Sequence, residues 1–450
     1  MGQLTERQLA SVRAMIEACP DSALAALGAT LSVGSERNQS MRQIQAMVSD
    51  ESADRRSRRI VFAAVAPLCR PSRPGAQGLS FPAAALAQLW RGLKREAAKD
   101  VQTAVAALLA AEGETPRPWP EIDALCLQAS GGLRTRRNPG YAAAAEILER
   151  ASPDGPECFA ACLDLAPIAR AALERLPEWL GRVTEERAAA ARLAFKDATA
   201  VAEDAGPRLL EILYAHLDEP WSVLRLVCAV MHRPTDRYVA TSELASFGER
   251  LLDDIDRRLQ LVGTLQPDAG AEAGRAAGLE IRAASLEISE FDDCLELTPD
   301  GPWGSRLTRQ RRALAQTVES RLKTVEAEVA AALPLQSSGF RKATRGHPRL
   351  TQDPEPRQVE RARALLTFMH EVRISADRFG FGALWNKTAE ALTSRLDIYI
   401  EDLLEKLRAG EEGEELERVR LYLDVAAEFM GLASDDKAAQ IVRRRMAAAA

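Results

Sequence analysis

Two short acidic clusters contain the residues of this sequence whose type and spacing could perform chemistry. Asp253 and Asp254 form the first cluster, and Asp292 and Asp293 form the second. Carboxylate oxygens are preferred ligands of Mg²⁺, and a bound ion would need carboxylates that face each other across a cavity. If two neighbouring helices present these clusters to one another, the sequence predicts a magnesium site.

The two clusters resemble the acidic helices of the all-α enzymes that act on prenyl diphosphates. The resemblance implies a helical enzyme with Mg²⁺ bound by the four aspartates. The sequence departs from that family because only about forty residues separate the clusters and neither shows the family's full aspartate spacing. The aspartates also fall on helix faces opposite the apolar residues, so a solvated helix surface is the competing interpretation.

Other groupings typical of enzymes are missing from the sequence. The four histidines, at positions 216, 232, 347 and 370, belong to no metal-binding or catalytic motif. The sequence contains neither a Gly-rich phosphate loop nor a Gly-x-Ser-x-Gly elbow. Apart from the magnesium alternative, we therefore predict no catalytic residue, no metal ligand and no cofactor.

Basic residues could contact an anionic partner at five places. They are Arg55–Arg59, Arg134–Arg137, Arg309–Arg312, the set Arg341, Lys342, Arg345 and Arg349, and Arg443–Arg445. The fourth set also contains Phe340 and is followed by no acidic residue before Asp353. This set predicts a site for a partner, whether a protein, nucleic acid or an anionic lipid, and a solvated linker is the alternative.

Three aromatic residues, Phe379, Phe381 and Trp385, lie together at the junction between two expected helices. Large aromatic side chains are common anchors in protein–protein interfaces, so an exposed docking patch is one hypothesis. The alternative is that the three rings fill the core between two helix ends.

Composition limits the functional classes. A hydrophobic fraction of 46% in 450 residues is ample for buried cores. The net charge of -6 argues against a protein that coats DNA, because neutralising phosphates requires a basic face.

Several features predict a cytoplasmic location. Charged residues such as Glu6 and Arg7 interrupt any signal-peptide core. The longest apolar run, Ile60–Cys69, is far shorter than the ~20 residues that span a bilayer. The seven cysteines are odd in number and scattered, as expected of reduced thiols.

The elements that must position these residues are helices. Apolar residues recur at steps of seven, four and three between Trp303 and Leu335, which predicts one long amphipathic helix. The same pattern between Val359 and Leu407 predicts its packing partner. The Gly- and Ala-rich stretch Gln266–Gly278 predicts a mobile segment.

The sequence thus predicts an all-α protein of about fifteen or more helices, arranged as an elongated multi-helix bundle or a solenoid-like stack. We divide it into an N-terminal helical region (1–152), a central helical region (153–335), a flexible linker (336–357) and a C-terminal bundle (358–450). The predicted function is a non-catalytic scaffold or adaptor for protein partners in a bacterial-type cytoplasm. The alternatives are the magnesium enzyme and a regulator that binds nucleic acid or anionic lipid through arginines.

Overall fold

The all-α prediction is confirmed by a computed structural model, in which 82% of the chain is helical. The structure describes residues 5–34, 39–70, 78–110, 119–181, 184–231, 234–336, 346–409 and 413–449. Contacts between Cα atoms divide the chain into two compact units, an N-terminal unit of residues 1–231 and a C-terminal unit of residues 232–450. The four-region division made from the sequence stays a prediction. None of the helices in the described ranges combines the length and the apolar character that a membrane crossing needs.

The described part of the N-terminal unit contains eleven α-helices. They are α1 (Glu6–Ala18), α2 (Asp21–Gly34), α3 (Gln39–Val61), α4 (Ala83–Ala110), α5 (Trp119–Thr135), α6 (Pro139–Ala151), α7 (Gly155–Asp164), α8 (Ala166–Trp179), α9 (Glu185–Val201), α10 (Ala205–Ala215) and α11 (Val223–Val230). Helix α4 is kinked at Ala97, whose backbone dihedrals are not helical.

Local sequence sets where the helices of this unit begin. Thr5 accepts a hydrogen bond from the Gln8 backbone, and the Gln8 side chain accepts one in return, so a capping box starts α1. The Asn138 side chain accepts from the backbone N–H groups of Gly140 and Tyr141 and starts α6. Asn138 also donates to the Gly92 carbonyl, which fixes the start of α6 against α4.

Glycines allow α4 and α6 to cross closely. A Cβ atom on Gly140 would lie only 2.4 Å from the Gly92 backbone nitrogen. The fully buried Tyr141 ring fills the space beside Gly92 and Gly132, where a Cβ would again collide. The bulky tyrosine and the small glycines therefore specify this crossing together.

The described part of the C-terminal unit contains eight α-helices and one pair of short strands. They are α12 (Asp236–Ala240), α13 (Ala245–Gly263), α14 (Ala271–Cys294), α15 (Pro302–Ala332), β1 (Leu335–Gln336), β2 (His347–Pro348), α16 (Pro356–Val372), α17 (Gly382–Arg408), α18 (Glu414–Ala433) and α19 (Asp436–Ala449). The strands pair in antiparallel register, with Leu335 opposite Pro348.

Helix α15 is the long amphipathic helix that the sequence predicts. Its apolar stripe from Leu307 to Val329 is buried, and α15 packs on both α16 and α17. Burial of such a stripe supplies most of the stability of a helix in a protein. The predicted packing between the two long segments is therefore confirmed.

The segment Gln266–Gly278, predicted to be mobile, is largely ordered, and this prediction is wrong. A 3-10 turn forms at Pro267–Ala269, and α14 begins at Ala271. A Cβ on Gly274 would lie 1.9 Å from the Ala364 carbonyl oxygen, and one on Gly278 would lie 2.4 Å from the Glu371 Cβ. These glycines serve close packing of α14 against α16 rather than flexibility.

Candidate functional site

The two acidic clusters lie on α13 and α14, where arginines neutralise them. Asp253 pairs with Arg306 at 2.6 Å, and Asp293 pairs with Arg378 at 3.5 Å. Asp292 pairs with Arg311. Within the described ranges, no group of three or more His, Cys, Asp or Glu side chains is placed to hold a metal ion. The geometry therefore gives the magnesium alternative no support.

Asp254 differs from the other three aspartates because it is buried, so the expected solvated surface is wrong for this residue. It pairs with Arg258 at 2.7 Å. Arg258 also contacts Glu280 at 2.6 Å and the fully buried Glu287 at 3.1 Å. One guanidinium is thus shared by three carboxyl groups, and Arg257 pairs with Asp254 at the edge of the group.

Glu287 is protonated at neutral pH in this buried charge cluster. Burial raises the pKa of its carboxyl to about 9, Arg258 acts in the opposite direction, and the nearby Asp254 raises the pKa further. With Glu287 neutral, Arg257 and Arg258 balance the charges of Asp254 and Glu280. We interpret the cluster as a connection between α13 and α14, since an arginine with buried carboxyl partners holds both helices.

The basic loop singled out from the sequence lies largely outside the described residues. Phe340, Arg341, Lys342 and Arg345 fall in residues 337–345, which the structure does not describe. Arg349 is described and exposed, and its backbone N–H donates to the Pro334 carbonyl at 3.0 Å beside the strand pair. The prediction of a partner site in this loop stays a prediction.

The aromatic residues at the start of α17 fill the core between two helix ends, which was the alternative to an exposed docking patch. Phe381 is 1% exposed and Trp385 is 9% exposed, and the Trp385 indole donates to the Met369 carbonyl at 2.9 Å. Phe379 is half-buried. Buried rings with satisfied polar atoms fill the space between helix ends and do not offer a docking surface.

Ion pairs neutralise several of the other basic residues. Arg134 pairs with Glu157 and Asp164, and Arg137 pairs with Glu96. Arg445 pairs with Glu401. Such surface pairs are worth little energetically, but they leave these arginines less available to an anion.

The group Arg55–Arg59 on α3 lies beside a cleft. Arg55 is buried and donates to the carbonyls of Ile16, Glu17 and Cys19 at the end of α1. It also pairs with Asp21 and Glu51, each at 2.8 Å. These bonds satisfy carbonyl groups that the end of α1 leaves open, and they fix α1 against α3.

The cationic cleft is a cavity of about 460 Å³ between α1, α3, α4 and the first turn of α6. Its lining residues are Arg13, Asp54, Gln88, Arg91, Lys94, Arg95, Pro139 and Gly140. Four cations and one carboxylate give this lining a net charge of +3. The volume falls in the usual range for sites that bind small molecules.

The cations of the cleft are of two kinds. Arg91 pairs with Glu17, and Lys94 contacts both carboxylate oxygens of Asp54 at 2.7 and 2.8 Å. Arg13 and Arg95 are exposed, and neither has an ion-pair partner among the residues that the structure describes. The uncompensated charge of the cleft therefore resides mainly on these two side chains.

The first turn of α6 adds a fixed partial charge of the same sign. The backbone N–H groups of a helix start point outward and form the positive end of the helix dipole. Asn138 already accepts from Gly140 and Tyr141, so the contribution of α6 is its dipole rather than a direct hydrogen bond. The close crossing of α4 and α6 at Gly92 and Gly140 holds this positive end at the cleft.

The sequence indicates a basic run next to this site but not the site itself. Arg55–Arg59 lies beside the cleft, whereas the cations that line it belong to α1 and α4 and are not among the basic groups noted in the sequence. On α4, Arg91 and Arg95 are one helical turn apart, and Lys94 lies between them on nearly the same face. That spacing was the available signal.

Burial disfavours the reactive thiolate form of two cysteines in the N-terminal unit. Burial raises the pKa of the Cys69 and Cys126 thiols to about 12, and a thiol that stays protonated is a poor nucleophile. The His216 ring nitrogen Nε2 lies 2.8 Å from the Ala64 carbonyl oxygen, and burial lowers the pKa of this ring. None of the seven cysteines, all of which lie in the described ranges, forms a disulfide.

Comparison of the chain with protein-family models, with curated proteins and with solved structures returned no match.

Proposed function

We propose that this chain is a non-catalytic helical scaffold whose N-terminal unit binds a small anionic ligand, one that carries phosphate, in the cationic cleft. The observation that carries the proposal is the cavity lining, where Arg13 and Arg95 face the same space as Arg91 and Lys94. Guanidinium groups form charge-assisted hydrogen bonds with phosphate oxygens, which are about twice as strong as neutral ones.

The shape of the site favours a small ligand. An open cleft of about 460 Å³ accommodates a phosphorylated small molecule, and its cations come from two helices, α1 and α4. A net charge of -6 for the whole chain opposes extended binding to nucleic acid. The proposal therefore places the anion partner at one local site.

Calorimetric titration of the full chain with inorganic phosphate tests the proposal. We expect saturable binding that weakens as the salt concentration rises, because exposed charges are screened. Replacing Arg95 by Gln removes one exposed cation, worth ~1 kcal/mol, so the dissociation constant should rise about fivefold.

The matched control is Arg175→Gln on α8. Arg175 is also an exposed arginine of the N-terminal unit, but it does not line the cleft. Equal weakening of phosphate binding by both substitutions, or no weakening by Arg95→Gln, would contradict the proposal. Circular dichroism of each variant verifies that the helices remain folded.

A further inference from the structure

A second, smaller cavity adjoins the cationic cleft. It has a volume of about 210 Å³ and shares two lining residues with the cleft, Asp54 and Arg91. The other lining residues come from α1, α3 and α4 and from the turn after α1; they are Glu17, Cys19, Glu51, Arg55, Arg58, Ala87 and Trp90. The two cavities therefore lie next to each other, with Asp54 and Arg91 in the lining of both.

The carboxylates of the smaller cavity are all engaged. Glu17 pairs with Arg91, Glu51 pairs with Arg55, and Asp54 pairs with Lys94. Each carboxylate that lines the cavity is therefore already paired with a cation other than Arg58.

Two donors in the same cavity lack acceptors. Arg58 is half-buried and has no ion-pair partner among the described residues. Trp90 is 2% exposed, and its indole Nε1 is buried without a hydrogen-bond partner. A buried donor without an acceptor is energetically unfavourable, so each of these groups in the lining would gain from an acceptor in the cavity.

The surroundings of Arg58 also favour an anionic acceptor beside its guanidinium. Burial lowers the pKa of its guanidinium, and Arg55 and Arg59 lower it further by repulsion, whereas Glu51 and Asp21 act in the opposite direction. An anionic oxygen beside Arg58 would offset both the lost hydration and the repulsion.

We propose that the ligand is a small polyphosphorylated molecule, with one phosphate in the cationic cleft and a second, linked phosphate in the smaller cavity against Arg58 and Trp90. This inference rests on the proposed function and specifies its ligand class. The shared residues Asp54 and Arg91 place the two phosphates next to each other, as in a diphosphate or triphosphate group.

Titration of the full chain with inorganic phosphate, pyrophosphate and tripolyphosphate tests the inference. We expect at least one of the linked phosphates to bind ~10-fold more tightly than monophosphate, because a second charged group is engaged. In Arg58→Gln and in Trp90→Phe this advantage should shrink severalfold, whereas the affinity for monophosphate should stay unchanged. Phe at position 90 keeps an aromatic ring against Phe62 and removes only the N–H donor and the second ring.

Arg56→Gln is the matched control, because Arg56 is an exposed neighbour on α3 that lines neither cavity. An advantage of the linked phosphates that persists in Arg58→Gln and Trp90→Phe overturns the inference. Monophosphate binding that remains sensitive to Arg95→Gln in the same experiment would still support the proposed function. If Arg95→Gln also leaves monophosphate binding unchanged, the proposed function is overturned as well.

Vesicles of phosphatidylcholine that contain phosphatidic acid present phosphate on a lipid surface and form the second arm of the test. Retention of the chain on these vesicles, without any gain in affinity from soluble pyrophosphate or tripolyphosphate, would overturn the assignment to a small soluble ligand. We expect the soluble linked phosphates to bind and the vesicles to retain no more chain than phosphatidylcholine alone.

Discussion

Replacing Glu287 by Gln should change how the stability of the C-terminal unit depends on pH. The pKa of Glu287 is about 9 in the folded chain, against 4.5 for an ordinary glutamate. Between these two values the folded state binds more protons at this site than the unfolded state does. The free energy of unfolding therefore falls as the pH rises from 4.5 to 9.

The size of the effect on the free energy of unfolding follows from the difference between the two pKa values of Glu287. Each pH unit in that window is worth ~1.4 kcal/mol, so ionisation of Glu287 lowers the free energy of unfolding by at most ~6 kcal/mol. Gln has nearly the same shape and no charge to bury, so it avoids this loss. At pH 5 wild type and Glu287→Gln should be similar, and at pH 9 the variant should be more stable by several kcal/mol.

The assay is urea unfolding of both proteins at pH 5, 7 and 9, followed by circular dichroism. Comparison with wild type at each pH cancels the contributions of other titrating groups. Glu280→Gln serves as the control, because Glu280 contacts the same Arg258 but is not fully buried. Parallel stability curves for wild type and Glu287→Gln would refute the burial argument for this carboxyl.

Two further substitutions test the packing and capping of the C-terminal unit. Gly274→Ala places a Cβ against the Ala364 carbonyl oxygen, so α14 must move away from α16. We expect a loss of ~1–3 kcal/mol of stability and a lower melting temperature. An unchanged melting temperature would contradict the close packing of these two helices. Asp236 is fully buried and accepts a hydrogen bond from the Gly304 N–H in the first turn of α15. Asp236→Ala should therefore lower the free energy of unfolding in urea by ~1–2 kcal/mol. If amide hydrogen exchange at the start of α15 is the same in the variant as in wild type, Asp236 does not cap this helix.

The helices of this protein could be predicted well because their signals are local. The apolar stripe of α15 repeats within the helix itself, so Leu314, Leu322 and Val329 indicate one buried face before any partner is known. The capping box at Thr5 and Gln8 is local in the same sense. In both cases, the residues that determine the structure are neighbours in the sequence.

The packing partners of the glycines could not be predicted in that way. Gly274 and Gly278 suggest flexibility from composition alone, and only the position of α16 shows that they serve a close helix crossing. Glu287 left a clearer signal, since it lies three residues after Ala284 and one before Ile288 on the buried face of α14. A glutamate at that position indicates a buried polar group that needs a hydrogen-bond partner.

The candidate site was only partly predictable because it is assembled from distant segments. The run Arg55–Arg59 marks the neighbourhood of the cleft without lining it; of the lining cations, Arg13 lies about forty residues earlier and Arg95 about forty residues later. Their meeting depends on the Arg55 bonds to the end of α1 and on the glycine crossing of α4 and α6. No property of any one segment contains that information.

Tungstate, a heavy analogue of phosphate, gives the most direct test of the cationic cleft when it is soaked into crystals of the full chain. The anomalous signal of tungsten locates each bound anion without any assumption about its site. The account predicts a tungstate ion between α1, α4 and the first turn of α6, within reach of Arg13 and Arg95. Tungstate bound at other positions while the cleft holds none would contradict it.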